Sequence, residues 1–301
     1  MYKLPHLLTF RAVCGTGSFA LAARELGYTA SAVSQHMAAL ERDTGLVLFE
    51  REAHGIRPTA AADRLLELSR PLLAGLDDFD YQVRQLAGGL SGRIRLGSFP
   101  TASVRLVPGA LSAFGERCPG AEVTLEESEP DELMTAVVAG ELDVALVYEY
   151  ALCPRRWPDG VLTRPLLREE LLVLRPPDGL PSVELPRLAG RRWITSGQRT
   201  AGALSLTRLC AAAGFTPRIA FRSDNYDVVR ELVVATGGVA VVPALGHRPD
   251  DRLAAAPTVP PSHRTVLAVC RKANTNPLTG PFLHALTQAV PPDAPHLTPL
   301  V

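Results

Sequence analysis

Near the start of the chain the apolar positions recur at helical period. Leu26, Val33, Met37 and Leu40 form one inward stripe. Ser18 is placed to N-cap a helix over Phe19–Leu26, Gly27 breaks it, and Thr29 or Ser31 can cap a second helix running to about Asp43. Ala23, Gly27 and Val33 have helix-turn-helix spacing: a small residue for close approach, a glycine for the tight turn, and a β-branched residue that packs the second helix back. In "GLVLFEREAHGIRPT" the apolar positions alternate, and Gly55 suits a tight turn, which predicts a short β-hairpin.

From Thr59, a suitable N-cap, Leu65, Leu72, Phe79 and Leu86 recur every seven residues, with Leu76, Val83 and Leu90 on a neighbouring line. That is a coiled-coil-like seam, which a single helix buries either lengthwise on its own domain or against a second copy. Pro71 inside it predicts a kink or a break. Gly88, Gly89 and the segment Leu90–Gly92 read as a hinge. Beyond it strands alternate with helices: "GRIRLGSF", "LVPGALSAFGERCP", "AEVTLEES", "PDELMTAVVAGEL", "DVALVYEY", then a second such set and a closing helix "GPFLHALTQAV". This order predicts parallel sheets with right-handed crossovers. The organisation expected is therefore residues 1–58, a long helix over 59–89, an α/β region over 91–290, and a Pro-rich, disordered tail over 291–301.

Composition adds little to this picture and excludes some classes. Lys plus Arg and Asp plus Glu both total 31, so net charge does not advertise a polyanionic partner, although a small module can be locally basic within a neutral chain. No apolar run is long enough to span a bilayer, and "MYKLPHLLTFRAV" lacks the basic-then-apolar pattern of an export signal, so a cytoplasmic location is expected. The five cysteines (Cys14, Cys118, Cys153, Cys210, Cys270) are scattered and show no zinc or redox spacing. Ser-His-acid, metal-ligand and phosphate-loop arrangements are not recognisable either, so no catalytic residue, metal or cofactor is expected.

The polar residues left outward near the start of the second helix are Ala30, Ser31, Ser34 and Gln35, with His36 beside them. The N-terminal turns of that helix in a helix-turn-helix enter the major groove, where Gln can pair with adenine. A plain surface helix would also carry such residues. Arg51 and Arg57 on the hairpin could reach phosphates, which fixes register without reading sequence. Ser18 and Thr29, at the two helix starts, complete the candidate DNA-facing set.

The stretch "LLTFRAV…GSFALAARELGYTASAVSQHMAALERDTGLVLFER" resembles the N-terminal domain of LysR-type transcriptional regulators over about sixty residues. Phe10, Ser18-Phe19, Ala22-Ala23, Leu26, Val33-Ser34, Leu40-Glu41, Gly45, Leu48-Phe49-Glu50-Arg51 and Thr59 carry the match. Ala30 stands where the family often has Gln, Pro58 replaces a Leu, and Ala62 replaces a Gly. The resemblance implies a mainly α winged helix-turn-helix joined by a long linker helix to an α/β effector domain of two lobes, like that of periplasmic binding proteins. It further implies double-stranded promoter DNA as partner, a small-molecule effector in the cleft between the lobes, self-association as a homodimer and homotetramer, and no membrane or enzymatic role. The match beyond Ser91 is looser, on Gly97, Pro108, Phe114, Pro119, Leu142-Asp143, Gly237-Gly238 and Pro243, and places crossover strands near 145–165 and 264–270.

Ligands of α/β sheets sit beyond the carboxyl ends of strands, where helix N-termini offer free N–H groups. Three strand-to-helix turns carry polar groups suited to that place: Ser98, Thr101 and Ser103; Ser196, Gln198 and Arg199; and Asn225. Arg199 would suit an anionic effector. Phe99 and Tyr226 would add aromatic walls, and Glu129 and Tyr148 stand at further strand ends. Each hydroxyl has an ordinary alternative as a helix cap.

Overall fold

A computed structural model describes residues 3–52, 55–86, 92–177, 183–291 and 294–300. Two compact units divide the chain, one comprising Met1–Val83 with Ala139–Glu141, the other Arg84–Val138 with Leu142–Val301.

The first unit contains α1 (Leu4–Thr16), α2 (Phe19–Leu26), α3 (Ala30–Thr44), the strands β1 (Phe49–Glu52) and β2 (Gly55–Pro58), and α4 (Ala60–Leu86), which continues into the second. Its boundaries follow from local chemistry. Ser18 Oγ accepts the Leu21 N–H, and Thr29, of the two candidates, caps α3 by accepting the Ala32 N–H at 3.1 Å. Gly27 ends α2 at φ +68, a left-handed conformation that costs a residue with a side chain about 1 kcal/mol or more. Phe10, Val13, Ala22, Ala23, Val33, Met37, Leu40, Leu48 and Ala62 form one buried core. Glu41 ties the hairpin to α3, its Oε1 accepting from the Leu48 and Phe49 N–H groups. The hairpin is antiparallel, with Phe49 opposite Pro58 and Glu52 opposite Gly55.

Of the kink or break expected at Pro71, the break does not occur: α4 continues through it, and one missing hydrogen bond is tolerated in a helix of 27 residues. Leu65 leaves the expected seam and packs on the core of the first unit. Leu90, Gly88 and Gly89 lie outside the described residues.

The second unit is built from β3 (Gly92–Ser98), α5 (Pro100–Arg105), α6 (Val107–Arg117), β4 (Ala121–Glu127), α7 (Pro130–Ala139), β5 (Val144–Tyr150), β6 (Val161–Arg175), β7 (Val183–Glu184), β8 (Arg192–Thr195), α8 (Ala201–Ala212), β9 (Arg218–Arg222), α9 (Tyr226–Thr236), β10 (Val239–Pro243), β11 (Ala254–Val259), β12 (His263–Arg271), α10 (Thr279–Gln288) and β13 (Leu297–Pro299). The strand order β4-β3-β5-β12-β6-β10-β8-β9 makes two lobes that share β6. Residues Val161–Glu170 of β6 pair antiparallel with β12 in the first lobe, and Leu171–Leu174 pair antiparallel with β10 in the second. The ladders β3-β4, β3-β5, β8-β10 and β8-β9 are parallel, as the alternating pattern predicts, whereas β5-β12 and β6-β11 are antiparallel.

Two expectations are corrected here. The first crossover lies inside β6, further along than 145–165, because the chain reverses after β5: the Cys153 N–H donates to the Tyr150 carbonyl, and the chain retraces the first lobe before crossing. The second crossover leads from β11 into β12, as expected near 264. The tail is not without structure, since Leu297–Pro299 forms β13 against Leu167–Glu169 of β6. Pro295 precedes the strand and Pro299 ends it, so the pairing through Leu297 and Thr298 is one that composition alone hides.

Asp143, 1% exposed, stitches the first lobe at the start of β5. Its carboxylate accepts from the Arg95 N–H at 2.8 Å and from Arg95 Nε and Nη2 at 3.0 and 2.9 Å. Asp143→Ala removes the buried carboxylate to which both the Arg95 side chain and its backbone N–H donate, so the second unit should lose about 3–5 kcal/mol. Urea unfolding read on that unit checks this; a loss below about 1 kcal/mol contradicts it.

Candidate functional site

On the first unit, Ala30, Ser31 and Gln35 are exposed on the leading turns of α3 and Ser34 is half-buried. Thr29 and Ser18 spend their side-chain oxygens on their own caps, which positions the helices more than it offers free donors. His36 is the departure: its Nδ1 lies 2.9 Å from Thr9 Oγ1, its ring lies tilted 4.9 Å from that of His6 on α1, and Tyr28 meets it edge-on at 5.4 Å. Its position in α3, one residue past Gln35, turns it towards α1 and away from the exposed face. Arg57 is exposed on β2 and forms an ion pair with Glu50 at 2.6 Å, a contact that screening makes easy to exchange for a phosphate. Arg51 lies in β1, and its side chain lies outside the described set.

On the second unit, the turns after the strands of both lobes converge on one cleft. A chamber is lined from the first lobe by Phe99, Pro100, Thr101, Glu129, Tyr148 and Tyr150, and from the second by Ser196, Thr200, Gly202, Asp224 and Tyr226, with Arg264 between them. Arg264 enters from β12 and is only 2% exposed. Its Nε donates to Glu169 Oε1 at 2.6 Å and its Nη2 to Thr101 Oγ1 at 3.0 Å, while Tyr148 and Phe99 cover its guanidinium at 4.4 and 4.9 Å. Glu169, fully buried on β6, accepts the Leu245 N–H of the second lobe at 2.8 Å through Oε2. Arg105 on α5 adds a second bridge across the cleft, donating to the His247 carbonyl at 3.0 Å. Burial raises the phenol pKa values of Tyr148, Tyr150 and Tyr226, so all three are neutral donors at physiological pH. Burial pulls the Arg264 pKa down, but the Glu169 carboxylate outweighs it, and the guanidinium stays charged.

The comparisons with known proteins decide the family. Residues 4–63 match the family described as bacterial regulatory helix-turn-helix protein, lysR family, and residues 87–291 match the LysR substrate binding domain. The chain belongs to the LysR family of transcription regulators. Among its relatives are the probable HTH-type transcriptional regulator LrrA of Synechococcus elongatus, 29% identical over 96% of this chain and 98% of that protein, and the small neutral protease regulatory protein of Streptomyces coelicolor, 34% identical over 82% and 76%. The solved structure of full-length CbnR complexed with its target DNA matches with a TM-score of 0.69 at 25% identity, covering 95% of this chain and 99% of that one. A full-length OxyR variant from Pseudomonas aeruginosa, at 20% identity and TM-score 0.70, shares the fold. The LysR assignment makes this chain a DNA-binding transcription regulator with a substrate-binding domain, in a family of regulators and not of enzymes.

Set against this LysR frame, the expected effector residues divide. Phe99, Thr101, Glu129, Tyr148, Ser196 and Tyr226 line the chamber together. Asn225 N-caps α9 and lines a neighbouring cavity, which Thr101 and Tyr226 share. Ser98 is fully buried, Ser103 donates to the Phe99 carbonyl at 3.2 Å, and neither lines the chamber. Gln198 and Arg199 are exposed at the tip of their turn and line none of the cavities described; Thr200, which caps α8, takes the inward place. Arg264, Glu169, Tyr150 and Asp224 escape the turn-based reading. The signal for Arg264 was present in "HRTVLAVC", where alternation puts it on the same face as Val266 and Ala268.

Arg264→Ala leaves the Glu169 carboxylate buried and unpaired, which should cost about 3–5 kcal/mol. Arg264→Met combined with Glu169→Leu should recover most of that loss. Urea unfolding of the single and double variants decides; equal losses would show that the pair is not coupled.

Proposed function

We propose that this LysR-family chain works in the cytoplasm on promoter DNA, and that a small molecule held between the two lobes of the substrate-binding domain modulates that binding. The observation that carries the reading is the chamber lined from both lobes, because only a ligand touching both lobes discriminates between their arrangements. The anionic effector expected from Arg199 has no support from that side chain, which is exposed and off the chamber.

Contacts to DNA are assigned to α3 and the hairpin. Ser31, Ser34 and Gln35 read base edges, with Ala30 beside them offering only a methyl group. Arg51 and Arg57 meet phosphates. His36, held against α1, supports the position of α3 and leaves base reading to its neighbours. The CbnR structure, a complex with target DNA, supports the same use of this fold here. A gel-shift against the chain's own upstream region at low salt tests the reading, and no retardation by any nearby promoter fragment would sink it. Gln35→Ala should relax preference by about 1–3 kcal/mol at one base pair, whereas Arg51→Ala should weaken all sequences alike and lower the salt slope. Identical behaviour of the two variants contradicts this division of labour.

Self-association is assigned to α4, giving a homodimer and, from pairs of dimers, a homotetramer. Leu68, Leu72, Phe79 and Val83 are 58%, 66%, 63% and 47% exposed in the single chain and recur at spacings of four and seven. A two-fold pair of α3 helices then matches two half-sites. Leu72→Asp with Phe79→Asp should convert the oligomer to monomer in sedimentation analysis and weaken DNA binding; an unchanged mass places the interface elsewhere.

A further inference from the structure

We propose that His247 makes the docking of the second lobe on the first proton-sensitive: neutral, it lets residues 245–247 stay docked across the cleft, and charged, it loosens them. Protons then bias the arrangement of the lobes whether or not the chamber holds a ligand.

The docked segment follows β10 and meets the crossover and the first lobe through its backbone. The Leu245 N–H donates to the buried Glu169 Oε2 at 2.8 Å, and the His247 carbonyl accepts from Arg105 Nη2 of α5 at 3.0 Å. Gly246 lies so close to the Tyr226 ring that a Cβ there would come within 2.8 Å of it, which leaves the segment little room to shift. The His247 side chain is half-buried at this junction, and its Nδ1 is shut off from solvent with no hydrogen-bond partner among the described residues. Such a place penalises a charged ring more than a neutral one.

The groups facing the imidazole reinforce the penalty. Burial is the largest effect holding His247 below its ordinary value of 6.5, and repulsion from His296 of β13, Arg230 of α9 and Arg105 of α5 adds to it, while Asp250 opposes them. Asp250 is already engaged: Arg252 donates to its two oxygens at 3.0 and 2.7 Å, and Arg230 Nε lies 3.9 Å away. Glu170 is engaged too, its Oε2 2.6 Å from His296 Nδ1 and its N–H donating to the His296 carbonyl at 2.9 Å. His296 is also the one non-glycine residue among those described with a left-handed backbone, at φ +66, a conformation that persists where the surroundings enforce it. It is therefore held in place when His247 takes up a proton. A docked imidazole gives up its proton more readily than a freed one, so docking is fully supported above pH 6.5 and weakens as the pH falls below it. Arg105 is the contact that gives way, because its guanidinium sits on the His247 carbonyl, beside the ring that becomes charged.

Hydrogen exchange of the full-length protein, corrected for the intrinsic pH dependence of exchange, reads this docking through the segment that contains the Leu245 N–H. Its protection should fall about three- to tenfold between about pH 7.5 and about pH 5.5, the ceiling being set by the uptake of one proton. The amides of β10, just before it in the chain, should keep theirs. His247→Gln, which stays polar but does not titrate, should abolish the step and hold the segment protected at both pH values. Equal protection at both pH values in the unaltered chain overturns the proposal, and so does a fall that β10 shares in full. A step that persists in His247→Gln also overturns it, as does one that disappears only in His263→Gln, the histidine opposite Glu170 on β12.

Discussion

The regulatory domain is organised around one buried ion pair. Arg264 and Glu169 are 95 residues apart in the chain, on the two strands that carry it from lobe to lobe, and both are shut off from solvent. Two charges in such a place are tolerable only if every polar atom finds a partner, and those partners are what join the lobes. Glu169 holds the Leu245 backbone of the second lobe, Arg264 holds Thr101 of the first, and the rings of Phe99 and Tyr148 close over the guanidinium. Replacing the pair by apolar side chains would leave the crossover packed but would remove its directionality. The pair fixes where the strands cross and therefore where the strand-end turns of both lobes point.

The DNA-binding unit is specified in the opposite manner, by interactions between near neighbours. Ser18 and Thr29 cap the helices they precede, Gly17, Gly27 and Gly45 terminate them in the left-handed conformation, and Glu41 reaches seven residues along the chain to anchor the hairpin. Rules of this kind can be read from sequence, which is why the helix-turn-helix, its turn and its hairpin were legible almost to the residue. His36 shows the limit. Its neighbour Gln35 points outward, and helical spacing does not distinguish a half-buried flank from an exposed one when a histidine on another helix is what it meets.

For the cleft, the turns were legible and the centre was not. A Ser or Thr between a strand and a helix announces itself, and Phe99, Thr101, Ser196 and Tyr226 were found in this way. Whether such a turn points into the cleft depends on its own geometry, and Thr200, not Arg199, takes the inward place because it caps α8. Arg264 and Glu169 were out of reach because each, by itself, reads as a charge on a strand; only the pairing of β12 with β6 makes them partners. The cysteines conform to the simpler reading. All five are free thiols, and burial pushes Cys14 up to about 11 and Cys210 up to about 12, which keeps those two protonated and unreactive at neutral pH.

Strand order also has a consequence for the order in which the domain can be made. β12 lies between β5 and β6 in the first lobe, yet it follows every strand of the second lobe in the chain. A ribosome that has released residues up to β11 has delivered all the ladders of the second lobe, while the first lobe still has an open seam beside β5. The guanidinium that Glu169 needs is also still to come. The second lobe can therefore close first and the first lobe only afterwards, so that synthesis itself leaves the crossover for last.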